Sequence, residues 1–119
     1  MADHLELGSQ AESLVAKKLE QQGFSILERN YKKPCGEIDL IALNSEYILF
    51  VEVKMRSKYY FDLEQVVTPA KQKKIMNTAS IFLATHNFHD KSCRFDVALV
   101  EIENNQPQIT YLSDAFSEM

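Results

Sequence analysis

The sequence predicts a mixed α/β fold, a small mixed sheet flanked by helices, on three observations. Apolar residues recur at three-and-four spacing in two stretches, Ser9 to Gln22 and Thr68 to about Thr85. Two apolar runs, Glu37 to Leu43 and Tyr47 to Met55, stand either side of the short polar joint Asn44-Ser45-Glu46, as the arms of a hairpin do. A third run, Arg94 to Ile102, follows the second helix, and strand, helix, strand in that order favours a right-handed parallel crossover. The 119 residues, 45% hydrophobic with three Gly and three Pro, fit one domain around one core.

In the first helix Ala11, Glu12, Val15, Leu19 and Gln22 share a stripe, and Gly23 stops it. Glu12 has two readings. In Ser9-Gln10-Ala11-Glu12 it completes a capping box, reaching back to the helix start; alternatively it points at the sheet, one turn ahead of Val15. Phe24 to Glu28 reads as a short strand, and Arg29 to Pro34 as a basic, aromatic connector ending at a residue that cannot donate to a ladder. Arg56 to Thr68, with Tyr59, Tyr60 and Phe61, lacks periodicity and reads as a loop able to cover a site. Thr68 then caps a helix with Pro69 in its first turn. Gln72, Ile75, Met76, Ala79, Phe82 and Leu83 form its buried stripe, while Lys71, Lys74 and Thr78 fall elsewhere. Gln108 to Leu112 is a last short strand before a polar tail.

The hairpin carries ionisable residues where a plain core would place Val or Ile. Side chains alternate along a strand, so Glu37 and Asp39 share a face of one arm, and Glu52 and Lys54 share a face of the other. With Ser45-Glu46 as a two-residue loop, Asn44 pairs with Tyr47, which sets Asp39 opposite Glu52 and Glu37 opposite Lys54. Opposed carboxylates have Cβ atoms about 4.5–5.5 Å apart, so one acid keeps its proton or a cation sits between them. Their oxygen ligands suit a hard divalent ion, Mg2+ or Mn2+, and Lys54 adds a positive charge able to orient water or steady a phosphoryl oxygen. The bland alternative is an ion-pair ladder in which Lys54 neutralises Glu37 or Glu52.

Charge and cysteine content exclude several classes. A net charge of −4 argues against a general nucleic-acid coat, yet the charge is segregated. Lys54 to Lys74 holds six basic residues against two acids, and Phe95 to Met119 holds five acids with no Lys or Arg. Cys35 and Cys93 read as free thiols, because two cysteines cannot staple a small secreted domain, and with His86 and His89 they match no zinc spacing. Without an apolar leader or a membrane-length run, the expected location is the cytoplasm, away from membranes.

Asp39 followed by Glu52-Val53-Lys54, with a preceding helix that carries Glu12, resembles the active-site pattern of the PD-(D/E)XK nuclease superfamily, including archaeal-type Holliday-junction resolvases. Ile38 stands at the proline of that pattern's name. The wider wording, Gly36-Glu37-Ile38-Asp39-Leu40-Ile41-Ala42, Phe50-Val51-Glu52-Val53-Lys54-Met55-Arg56, Val66 through Lys71 and Arg94-Phe95-Asp96-Val97, is similar to the YraN-like family of small bacterial proteins. The resemblance, over about Gly8 to Val100, implies a restriction-endonuclease-like core of helix, three-strand antiparallel meander, helix and strand. It implies a divalent-metal-dependent endonuclease acting on branched or single-stranded DNA rather than RNA, and a homodimer by analogy with the resolvases. In it Asp39, Glu52 and the Val53 carbonyl bind Mg2+ or Mn2+, Glu12 is a further, helix-borne acid, and Lys54 positions the attacking water. Arg56, Lys58, Lys71, Gln72 and Lys74 would meet nucleic acid, and Glu37, Arg94 and Asp96 would support the site. The other reading is a non-catalytic nucleic-acid-binding or protein-interaction module that retains the fold.

Overall fold

The computed structural model describes residues 4–55, 67–104 and 106–117. Helix α1 (His4–Gln21) leads into strands β1 (Ser25–Lys33), β2 (Gly36–Leu43) and β3 (Tyr47–Met55); helix α2 (Pro69–Thr85) and strands β4 (Ser92–Glu103) and β5 (Gln106–Phe116) follow. The five strands lie in one sheet in sequential order, antiparallel except where β3 meets β4 in parallel. The loop expected over Arg56 to Thr68 falls largely outside the described residues, as do Arg56 and Lys58. No described helix is long and apolar enough to cross a membrane.

Among the described residues, each face of the sheet is covered by one helix. Ala11, Val15, Ala16 and Leu19 of α1 pack on Leu40, Ala42, Leu49, Val51, Ala98 and Val100. Ile75, Ala79 and Phe82 of α2 pack on Ile38, Ile41, Ile48, Phe50, Val97 and Leu99. Both faces of β3 are therefore buried, which is why it reads as a continuous apolar run. The hairpin turn has the expected two-residue loop: Asn44 Oδ1 accepts from the Glu46 and Tyr47 amides at 2.9 and 2.7 Å, and Asn44 N donates to the Tyr47 carbonyl at 3.0 Å. The observed partners, from Leu43 with Ile48 to Leu40 with Val51, follow the counted register.

Three elements differ from their sequence-derived outlines, and one side chain differs in its burial. Helix α1 begins before Ser9, so Ser9 lies inside it and the capping box does not form. Gly23, at φ 94, ends that helix as only a glycine does without strain, with Phe24 N donating to the Leu19 carbonyl at 3.0 Å. Strand β1 runs on to Lys33, since Tyr31 pairs with Ile38 and sets its ring edge-on to Phe82 at 5.3 Å. Strand β5 extends to Phe116 through an irregularity opposite Phe95 and Val97, where Asp114 takes φ 53. Thr78, placed away from the buried stripe by its spacing, is fully buried: Gly36 leaves it room, and a Cβ at 36 would stand 2.8 Å from Thr78 Oγ1.

Candidate functional site

The site begins where the hairpin ladder ends. Beyond Leu40 and Val51 the strands no longer pair; instead Asp39 Oδ2 accepts the Val53 amide at 2.8 Å, so a side chain takes a ladder bond. The regular alternation of β2 breaks at the same place. Ile38 lies in the core beneath α2 and Leu40, two residues on, in the core beneath α1. Asn30 of β1, between the pairs Arg29 with Leu40 and Tyr31 with Ile38, takes the left-handed φ of 52 that accompanies this turn-over. Asp39 is thus aimed by a local rotation of two strands. Glu37, on the far side of that rotation, has Lys32 as its cross-strand partner, and the counted Glu37 and Lys54 pair is absent from the ladder because Asp39 holds the Val53 N–H.

Glu52 comes to the same place from β3, its side chain only 5% exposed. Facing it is the first turn of α2, where Thr68 caps the Lys71 amide at 3.2 Å and its carbonyl accepts Gln72 N at 2.9 Å. Lys71 Nζ lies 3.2 Å from Glu52 Oε2, so the lysine at this carboxylate comes from the helix rather than from β3. The contact lacks hydrogen-bond geometry: Glu52 Oε2 is a buried oxygen with no hydrogen-bond partner. A cleft of about 380 Å³ opens here, lined by Gly36, Glu37, Asp39, Glu52, Lys71 and Lys74 among others.

The electrostatics follow from this crowding. Burial, then the neighbouring Glu52, pushes the Asp39 carboxyl up to about 8, against which the Val53 amide and Lys71 pull weakly. Burial alone would lower the Lys71 ammonium, but Glu52 beside it reverses the balance and holds it above its usual value. Two acids, with the charge of Asp39 disfavoured, and one lysine therefore make up the cleft floor. Glu12 is raised too, by burial and then by Asp39, while Asn30 and Arg29 oppose the rise.

The remaining candidates are distributed unevenly. Glu12 points at the sheet edge, where its carboxylate accepts from Asn30 Nδ2 at 3.2 Å and pairs with Arg29 at 3.7 Å. Among the described residues no three His, Cys, Asp or Glu side chains gather closely enough to hold a metal, so the structure unites Asp39 with Glu52 and leaves Glu12 at the margin. Lys54 is half-buried, with its side chain within reach of Lys71. Gln72 Nε2 donates to the Val67 carbonyl at 3.0 Å, and exposed Lys74 borders the cleft. Arg94 and Asp96 lie on the other face in a closed network. Asp96, fully buried, accepts from Arg94 Nε at 2.9 Å, Tyr111 Oη at 2.6 Å and Asp114 N at 2.8 Å, and Arg94 stacks over Tyr47 at 4.9 Å. Asn30, Tyr111 and Asp114 had no sequence signal, since Asn30 and Asp114 act through strand irregularities and Tyr111 meets Asp96 only through the pairing of β5 with β4.

The family model described as uncharacterised protein family UPF0102 matches residues 11–100, a span that contains α1 from Ala11, the whole cleft and most of β4. A UPF0102 protein of Geotalea daltonii is 40% identical over 116 residues, 96% of this chain and 91% of that protein. One from Francisella tularensis subsp. tularensis is 41% identical over 94% of this chain and 95% of its own length. One from Shewanella oneidensis is 45% identical over 113 residues, 94% of this chain and 100% of its own length.

Proposed function

From a chain that belongs to the UPF0102 family, we propose a divalent-metal-dependent nuclease that hydrolyses DNA phosphodiester bonds, with branched or single-stranded DNA as substrate. The reading is carried by one observation: Glu52 Oε2 is buried and lacks a hydrogen bond, beside an Asp39 whose charged form burial and Glu52 disfavour. Buried polar oxygens are ordinarily satisfied, and two adjacent acids with an unbonded oxygen have the donor set of a hard cation site. Asp39 and Glu52 would hold Mg2+ or Mn2+, with the Val53 carbonyl implied by the resemblance to PD-(D/E)XK nucleases. When bound, the ion supplies neutralisation of phosphate charge and an acidified water.

The chain's own residues do the rest. Asp39 is oriented by the Val53 amide, and Glu52 by its place in a strand buried on both faces. Lys54 and Lys71, both on the α2 side of the sheet, bring ammonium groups to where charge develops on the phosphoryl oxygens. Hydrolysis adds the water oxygen to phosphorus, breaks one P–O ester bond and leaves a phosphate and a free hydroxyl. One observation favours the second reading, a binding module that retains the fold: Glu12 is committed to Asn30 and Arg29 rather than to the pair.

The test is cleavage of single-stranded, duplex, flapped and four-way DNA with Mg2+ or Mn2+, beside Asp39→Asn, Glu52→Gln and Lys54→Ala. Each substitution is expected to lower the rate by about a hundredfold or more, as loss of one electrostatic group at such a centre does. Wild-type protein that cuts nothing, or variants that cut as well as it does, would sink the nuclease reading.

A further inference from the structure

We infer that Lys71 is the built-in counter-ion of the Asp39 and Glu52 pair, occupying the position a divalent cation takes and turning out to the cleft mouth, towards a substrate phosphate, when that cation binds. This rests on the reading that the pair takes a divalent ion, and adds that the chain carries its own competitor for the site.

Three observations carry it. First, Lys71 Nζ stands 3.2 Å from Glu52 Oε2, yet that oxygen has no hydrogen bond. The attraction is Coulombic without directed bonding, so an ion with stricter ligand demands can replace it. Second, the two partners differ in freedom. The Glu52 side chain is 5% exposed and the Lys71 side chain 42% exposed, so the carboxylate stays while the ammonium, on its four-carbon stem, swings. Third, the Lys71 backbone is pinned: its amide is capped by Thr68 and the next amide bonds the Thr68 carbonyl. Displacement therefore moves a side chain and leaves the helix in place, with the ammonium still over a cleft that Lys74 also borders. A cation between the carboxylates and an ammonium against one of them exclude each other by charge, so affinity for the ion includes the work of moving Lys71.

Metal-stripped full-length protein is titrated with Mn2+ by calorimetry, comparing wild type, Lys71→Met and Lys71→Arg, with melting curves in EDTA and in Mn2+. Lys71→Met is expected to bind Mn2+ about tenfold tighter or more, Lys71→Arg to stay near wild type, and Lys71→Met to melt lower in EDTA and recover in Mn2+. Equal or weaker Mn2+ binding by Lys71→Met overturns the inference, and so does an absence of Mn2+ binding in all three proteins. DNA cleavage measured alongside separates the two claims. Tighter Mn2+ binding by Lys71→Met without wild-type cleavage sinks the nuclease reading and keeps the counter-ion, while cleavage with unchanged affinity sinks the counter-ion alone.

Discussion

Replacing Asp39 by Asn should stabilise the metal-free protein, increasingly as pH rises. The folded-state carboxyl titrates near 8 against an ordinary 3.8, because burial and Glu52 both disfavour its charge. Between those values the native state binds more protons than the unfolded one, so native stability is greatest below 3.8 and falls as pH climbs towards 8. Each pH unit in that window is worth about 1.36 kcal/mol, which sets a ceiling of about 4 kcal/mol between pH 5 and pH 8. Asp39 is half-buried, and water screening trims this to about 2 kcal/mol. Asparagine copies the protonated acid, with an oxygen for the Val53 amide and an NH2 for Glu52, but does not ionise. In EDTA the gap in stability between Asp39→Asn and wild type should widen by about 2 kcal/mol from pH 5 to pH 8, or roughly 8 °C in Tm. Urea titrations at each pH measure it. A gap that is flat, or that favours wild type at pH 8, would refute the claim that Asp39 is held protonated by its surroundings.

Two further expectations probe the frame around the cleft. Gly36→Ala should cost about 1–3 kcal/mol by overpacking, because the new Cβ meets Thr78 Oγ1 at 2.8 Å and the Lys74 carbonyl at 3.1 Å. Thr78→Ala in the same chain should restore part of the loss in a denaturant cycle; full additivity would show that the two do not touch. Asp96→Asn should cost about 3–5 kcal/mol, since it strands the Arg94 guanidinium in a network built for an anion. Its Mn2+ affinity should match wild type in calorimetry, and a loss of affinity would link that network to the cleft.

What was legible in the sequence was what local chemistry alone determines. Thr68-Pro69 starts α2 because a capping oxygen and a residue without N–H suit the first turn, and β3 has the outline its apolar run gives. Asn44 closes the hairpin, so the count that sets Asp39 across from Glu52 followed from the turn. The rest depended on contacts distant in sequence. Edge strands β1 and β5 are largely exposed and polar, so no alternation marks their ends, and each contains a left-handed residue, Asn30 or Asp114. Thr78 reads as a surface residue until Gly36 lets it in, its hydroxyl donating to the Lys74 carbonyl at 2.8 Å. That Lys71 rather than Lys54 pairs with Glu52 depends on how α2 sits over the sheet, which helical spacing does not encode.

The two buried acids of adjacent strands provide an internal comparison. In the parallel register of β3 and β4, Val51 stands beside Asp96 and Glu52 beside Val97, so the carboxylates are neighbours in the sheet and face opposite layers. Asp96 has both oxygens engaged, by a guanidinium, a phenol and a backbone amide. Such saturation is what a buried carboxylate needs when its duty is to hold a strand irregularity in shape. Glu52, scarcely more exposed, is left with an unbonded oxygen, a protonated neighbour and an ammonium that approaches without hydrogen-bonding. The same fold that satisfies one acid completely does not satisfy the other. Packing cannot account for the difference, because β3 is enclosed on both faces and a Val or Ile at 52 would fill the position without leaving a charge to neutralise. An unbonded oxygen confined to one pair of acids, at the point where a side chain has replaced a ladder bond, is the arrangement expected of a site that completes itself with a ligand.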